Sequence, residues 1–184
     1  MPKLIIVNGT SGSGKTHMLE TVASMYKNIV PIRKYTTRAE RPYEDETLSK
    51  SLIFNCDINN ITSCDFFYQF KKEFYGIKKS DMELTLTHGL NPIIIVRDFP
   101  TIIKLKSEYK DNLTFYIHSA YTGDTLINYL ESKGRTNVKE NIAMNKDTFY
   151  QYVEHLSQEI FDHIIINNYD ETFLKQIKYY LRNI

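Results

Sequence analysis

Gly9, Gly14, Lys15 and Thr16 meet the spacing G-x-x-x-x-G-K-S/T within the segment Gly9-Thr10-Ser11-Gly12-Ser13-Gly14-Lys15-Thr16. The chemistry such a segment does is phosphate binding. Backbone N–H groups converging at a helix N-terminus answer the dense negative charge of a polyphosphate, because unsatisfied donors and the helix dipole already favour an anion there. Glycines at 9, 12 and 14 allow the torsions and the close approach that a side chain would obstruct. In this pattern Lys15 reaches the β- and γ-phosphates of ATP and Thr16 ligates the Mg2+ that bridges them. The loop alone is common to ATPases, GTPases, small-molecule kinases and motor domains.

A second anion-binding constellation follows about twenty residues on, in Tyr35-Thr36-Thr37-Arg38-Ala39-Glu40-Arg41-Pro42-Tyr43-Glu44. Arg38 and Arg41 stand three apart, close enough for two planar, multiply donating guanidinium groups to grip one phosphate. Their plainer reading is as ordinary surface charges.

These residues need a scaffold. Short apolar, β-branched runs at Lys3–Val7, Pro92–Val96, Leu113–Ile117 and His163–Ile166 are each followed by a stretch of helical periodicity. Continuously apolar strands such as Ile93-Ile94-Ile95-Val96 belong in a parallel sheet covered on both faces. Helices are expected over Lys15–Lys27, Ser80–Gly89, Thr101–Lys110, Thr122–Ser132, Lys139–Ile160 and Glu171–Arg182, with Gly89 and Gly134 as terminators. Between Tyr35 and Lys79 the charges, short apolar pairs and turn residues read as short antiparallel strands around a loop, a small inserted subdomain. The fold class this predicts is α/β, a three-layer α/β/α sandwich of the P-loop NTPase kind with a mostly parallel sheet.

Composition narrows the partners. The 184 residues make one domain, and 23 lysines and arginines nearly cancel 22 aspartates and glutamates, so no overall basic field draws the chain to nucleic acid or an anionic membrane. The apolar run after Met1 is too short for a signal peptide, no stretch approaches a membrane span, and a cytoplasmic protein is expected. Cys56 and Cys64 match no zinc or redox spacing, and the five histidines are scattered without metal-binding spacing.

The stretch T-T-R-x-x-R-x-x-E, formed by Thr36, Thr37, Arg38, Arg41 and Glu44, resembles the acceptor-binding signature of guanylate kinases, P-loop nucleoside monophosphate kinases in which it follows the phosphate loop at this distance. Further segments are similar to that family in the same order. Phe74-Tyr75-Gly76-Ile77 resembles the segment whose tyrosine contacts the acceptor phosphate, and Pro92–Asp98 the strand ending in an aspartate near the acceptor. Leu130–Thr136 is similar to the basic lid over ATP, and Phe161–Asn168 to the final strand whose asparagine borders adenine. The resemblance thus implies substrate-binding roles for Arg38, Arg41, Glu44, Tyr75 and Asp98, catalytic roles for Lys15, Arg38 and Arg135, and an ATP contact for Asn167. Each also has a plainer reading: Tyr75 packs, Asp98 caps the helix that contains Pro100, Arg135 ends a solvated helix, Asn167 starts a turn.

The pattern also breaks. A glycine and a tyrosine of the signature fall near Ser49 and Leu52, and a later lid arginine near Asn145 or Lys146. The guanine-reading glutamate falls at Gln69, whose carboxamide offers one acceptor where guanine needs two, so base preference stays open. The resemblance implies a core of residues 1–34, 80–120 and 161–184, an acceptor-binding insert at 35–79, and a lid at 121–160. It implies ATP- and Mg2+-dependent phosphorylation of a nucleoside monophosphate, GMP or dGMP, by a monomer or homodimer. Two alternatives stand beside it: a kinase of another phosphorylated acceptor such as ribose 1,5-bisphosphate, and a non-catalytic protein-binding module.

Overall fold

The computed structural model describes residues 1–40, 51–135, 138–143, 145–155 and 159–184. Its centre is a sheet whose strands follow from the apolar runs. Among the described residues these are β1 (Leu4–Gly9), β2 (Ile29–Pro31), β7 (Asn91–Ile95), β8 (Asn112–Ser119) and β9 (His163–Asn167), in the order β2-β7-β1-β8-β9 and parallel throughout. β2 is a strand the sequence pattern does not announce. Its Pro31 is tolerated because β2 lies at the sheet edge, where one side needs no ladder donor.

The period of two along each strand divides the core. Ile5, Val7, Ile93, Ile95, Phe115 and Ile117 face one side and pack with Met18, Leu19 and Val22 of α1 (Lys15–Met25) and with Phe173 and Ile177. Leu4, Ile6, Ile94, Val96 and Tyr116 face the other side and pack with Phe99, Ile102 and Leu105. Each such isoleucine or leucine contributes roughly 1.5–3 kcal/mol by leaving water. The result is helix, sheet, helix in three layers.

A second sheet, among the described residues, joins β3 (Lys34–Thr36), β4 (Leu52–Ile53), β5 (Phe66–Phe70) and β6 (Glu73–Ile77) in the order β4-β3-β6-β5. β6 pairs antiparallel with both neighbours, whereas β3 and β4 run parallel, a departure from the all-antiparallel expectation. The described helices after α1 are α2 (Ile58–Thr62), α3 (Lys79–Thr87), α4 (Phe99–Glu108), α5 (Gly123–Ser132), α6 (Val138–Ala143), α7 (Asn145–Glu154) and α8 (Glu171–Leu181). The long helix expected over Lys139–Ile160 is instead α6 and α7. Beyond Glu154, His155 and Glu159 lie outside helix, and Glu159 has φ of 49°, which no α-helix continues. Among the described residues no helix is long and apolar enough to cross a membrane.

Candidate active site

The phosphate loop leaves the C-terminal end of β1, the end where open parallel sheets place their ligands. Gly14 is the N-cap of α1 at φ 97°, ψ 14°, with no side chain capping the first turn, so the helix presents its donors to whatever anion arrives. An added Cβ at Gly14 would strike the Asn167 amide, and one at Gly9, φ 144°, would strike the Ile117 carbonyl. The loop's carbonyls are held from outside. Asn145 on α7 pairs twice with Ser11, accepting from its N–H at 2.8 Å and donating to its carbonyl at 3.0 Å. The Tyr169 hydroxyl donates to Gly12 at 2.9 Å, and Asn167 Nδ2 donates to Ser13 at 3.0 Å. Ser13 Oγ is buried with no partner among the described residues, a hydroxyl suited to a phosphate oxygen.

Lys15 is buried, and its Nζ donates to the carbonyls of Gly9, at 2.7 Å, and Thr10. Burial holds its pKa well below the ordinary lysine value, helped by the positive charges of Arg97, Arg135 and Lys34. An ammonium so placed gains most when a polyphosphate supplies the missing counter-charge. Around it opens a cleft of about 450 Å³, lined by Gly12, Gly14, Thr16, Asn167, Tyr129 and Tyr169 among others.

A second cleft of about 390 Å³ lies between the two sheets' residues, and among the described residues its wall is basic: Lys34, Arg38, Lys71, Arg97 and Arg135 line it, with Glu20 and Glu73 as its acids. Arg38 stacks its guanidinium on Phe54, 4.8 Å from the ring centroid. Thr37 ties this segment to β6, donating to Glu73 Oε2 at 2.7 Å and accepting from Phe74 N at 3.0 Å. Tyr75 also lines the cleft and stacks on Tyr68 at 5.3 Å. The two clefts share a wall of Lys15, Thr16, Arg97 and Arg135.

A family model described as guanylate kinase matches residues 1–184. The chain belongs to the guanylate kinase family. A guanylate kinase of Bdellovibrio bacteriovorus is 29% identical over 119 residues, 63% of this chain and 64% of that protein. One of Saccharophagus degradans is 29% identical over 94 residues, 50% of this chain and 46% of that protein. The chain therefore spans less than two thirds of the length of these two relatives. A guanylate kinase of Psychrobacter arcticus is 22% identical over 184 residues, 95% of this chain and 83% of that one. The crystal structure of a guanylate kinase from Anaplasma phagocytophilum shares the fold, with a TM-score of 0.66 at 17% identity over 98% of this chain and 85% of that one.

Within this guanylate kinase fold, Lys15, Thr16, Arg38, Tyr75, Arg135 and Asn167 all line one or both clefts. Arg41 and Glu44 lie outside the described residues. Two of the expected residues stand apart from both clefts. Gln69 is exposed and donates to the Lys71 carbonyl at 3.1 Å. In the β5–β6 register Tyr68 opposes Tyr75 and faces inward, so its neighbour Gln69 must face out. Asp98 lines neither cleft, because its carboxylate caps α4, accepting from Thr101 N at 2.8 Å and Thr101 Oγ1 at 2.6 Å.

Sequence reasoning passed over Arg97 and Lys34. Arg97 is the first residue after the apolar run of β7, a strand end that a parallel sheet turns toward its ligand crevice. Lys34 stands two before Thr36, in phase with it on the buried face of β3, and a lysine in that phase is the signal that was there to be read.

Proposed function

We propose that the chain transfers the γ-phosphoryl group of ATP, bound as its magnesium complex, to the phosphate of a nucleoside monophosphate, with GMP and dGMP as leading acceptors. The observation that carries this reading is the common wall: two clefts of nucleotide size meet at Lys15, Thr16, Arg97 and Arg135. A triphosphate in the loop and a monophosphate in the second cleft would face each other across those cations. The new bond joins an acceptor phosphate oxygen to the γ-phosphorus as the bond to the oxygen bridging β and γ breaks, leaving two diphosphates. No protein nucleophile takes part, so the protein's contribution is positioning and charge neutralisation.

Lys15 exchanges its carbonyl partners for phosphate oxygens, while Arg38, Arg97 and Arg135 neutralise the group in transit. Tyr75 and, by family resemblance, Arg41 and Glu44 hold the acceptor. The Thr16 hydroxyl would hold magnesium, which would supply further charge neutralisation on the transferring group. The insert 35–79 and the lid 121–160 close over the site and exclude water. Support comes from Lys71, at the β5–β6 turn, which donates to Asn141 on α6. A cytoplasmic place of action belongs to the same reading.

The strongly basic wall of the second cleft favours one alternative, an acceptor with more charge than a single phosphate, such as a phosphorylated ribose. The intact phosphate loop stands against a purely protein-binding module. The test is ADP release measured across the nucleoside and deoxynucleoside monophosphates and phosphorylated riboses. Acceptor-dependent ADP with at least one of them is expected. Tight ATP binding by calorimetry with no acceptor-dependent ADP would rule out the kinase.

A further inference from the structure

Lys34 is 5% exposed, on the inward face of β3, and its backbone N–H donates to the Ser51 carbonyl at 3.0 Å. Its Nζ donates to the Tyr68 hydroxyl at 3.2 Å and lies 5.1 Å and 5.8 Å from the ring centroids of Tyr75 and Tyr68. It lines the second cleft but not the first. Among the described residues no carboxylate pairs with it. Three donors are available on an ammonium and one hydroxyl takes one of them. A role in packing alone explains this poorly, since burying an uncompensated ammonium is costly and methionine fills the same volume without that cost.

The geometry points to Lys34 as the residue that selects the acceptor: from the part of the second cleft that the ATP cleft does not share, its ammonium takes an oxygen of the acceptor remote from the phosphate being phosphorylated. This rests on the second cleft being the acceptor site. An ammonium only donates, so it rewards an oxygen and rejects an amino group at that place. Among nucleotides the oxygen is the keto group of a 6-oxopurine or 4-oxopyrimidine. Among phosphorylated sugars it is a second oxyanion. Burial, then the charges of Arg97 and Arg38, bring the free amine down to about 7, and an oxygen partner favours its protonated, donor-only form. With Gln69 turned outward, Lys34 is a buried polar group of the second sheet well placed to read the acceptor.

The experiment measures ADP release by the full chain with matched acceptors: IMP and GMP against AMP, UMP against CMP, and ribose 1,5-bisphosphate against ribose 5-phosphate. In parallel, each acceptor is titrated calorimetrically into the unmodified protein and into Lys34→Met and Lys34→Gln. The expected result is a preference of about 10- to 100-fold for the oxygen-bearing member of at least one pair. Lys34→Met should erase it by raising KM for the preferred acceptor while KM for ATP stays put. Lys34→Gln, which adds an acceptor beside a donor, should narrow it by admitting the amino-bearing partner. If Lys34→Met fails to fold, Lys34→Gln decides. Equal use of both members of every pair, or a preference that survives both substitutions, overturns the assignment. A Lys34-dependent binding preference without any ADP release would instead sink the kinase reading and leave the selection by Lys34 standing.

Discussion

The cleft at the phosphate loop is shaped by backbone, whereas the second cleft is lined by side chains. In the first, glycines at 9, 12 and 14 shape the loop, and Asn145, Tyr169 and Asn167 hold the carbonyls of Ser11, Gly12 and Ser13 from behind. In the second, Lys34, Arg38, Tyr75 and Arg97 reach inward from separate strands and strand ends. Backbone recognition leaves few residues free to vary, because a single Cβ at Gly14 or Gly9 collides with its surroundings. Side-chain recognition can be rewritten one residue at a time on an unchanged sheet.

The wall common to both clefts is where that contrast can be broken most forcefully. Lys15→Ala should reduce kcat by at least about 10³-fold with every acceptor, since it removes the buried charge at the loop itself. Arg97→Ala should cost about 10²-fold in kcat, also with every acceptor, because Arg97 touches both clefts. Steady-state kinetics with two unrelated acceptors checks both. A loss confined to one acceptor would move Arg97 out of the shared wall and into acceptor recognition alone.

The same contrast governs what was legible in the sequence. The loop could be read because its glycines, Lys15 and Thr16 are fixed in spacing by one turn of backbone. The parallel sheet could be read because Leu4–Val7 and Ile93–Val96 are apolar on both faces, as a doubly covered strand must be. Acceptor residues were harder because a gap of one residue in a short strand exchanges inside for outside. Gln69 illustrates one such exchange: it is exposed while its neighbour Tyr68 faces in. Asp98 and Arg97 illustrate another, since adjacent residues at the end of β7 divide into a helix cap and a cleft cation, and only the chain's turn into α4 decides which is which.

Lys34 allows the second cleft to be probed without any ligand. Its amine titrates near 7 when folded, against 10.5 for an unperturbed lysine, and the groups about it are Tyr68, Tyr75, Arg38, Arg97 and Lys15. Below about 7 both folded and unfolded states hold the proton, and the folded state bears the full cost of the buried ammonium. Between about 7 and 10.5 the unfolded state binds more protons, so this contribution to stability rises with pH and then levels off. From pH 7 to 9 the gain is on the order of 2 kcal/mol relative to Lys34→Met, in which the titrating group is gone. Denaturant unfolding of both proteins at the two pH values measures it. Parallel curves would mean the amine is solvated and the wall of the second cleft less dry than its packing indicates.

The smallest effects distinguish residues that hold the site from residues that merely stand near it in sequence. Asp98→Ala removes two hydrogen bonds from the start of α4 and should destabilise the fold by about 1 kcal/mol. In a chain of this length that lowers Tm by roughly 2–4 °C. Because the carboxylate faces the helix and neither cleft, KM for the acceptor should not move. Gln69→Ala should change neither quantity beyond about 0.5 kcal/mol in stability, since its amide spans only to Lys71 on the outer side of the hairpin. Melting curves and acceptor KM measured together make the pair decisive. A raised acceptor KM at unchanged Tm in either variant would place that side chain in the cleft on closure, and the division between backbone and side-chain recognition would have to be redrawn there.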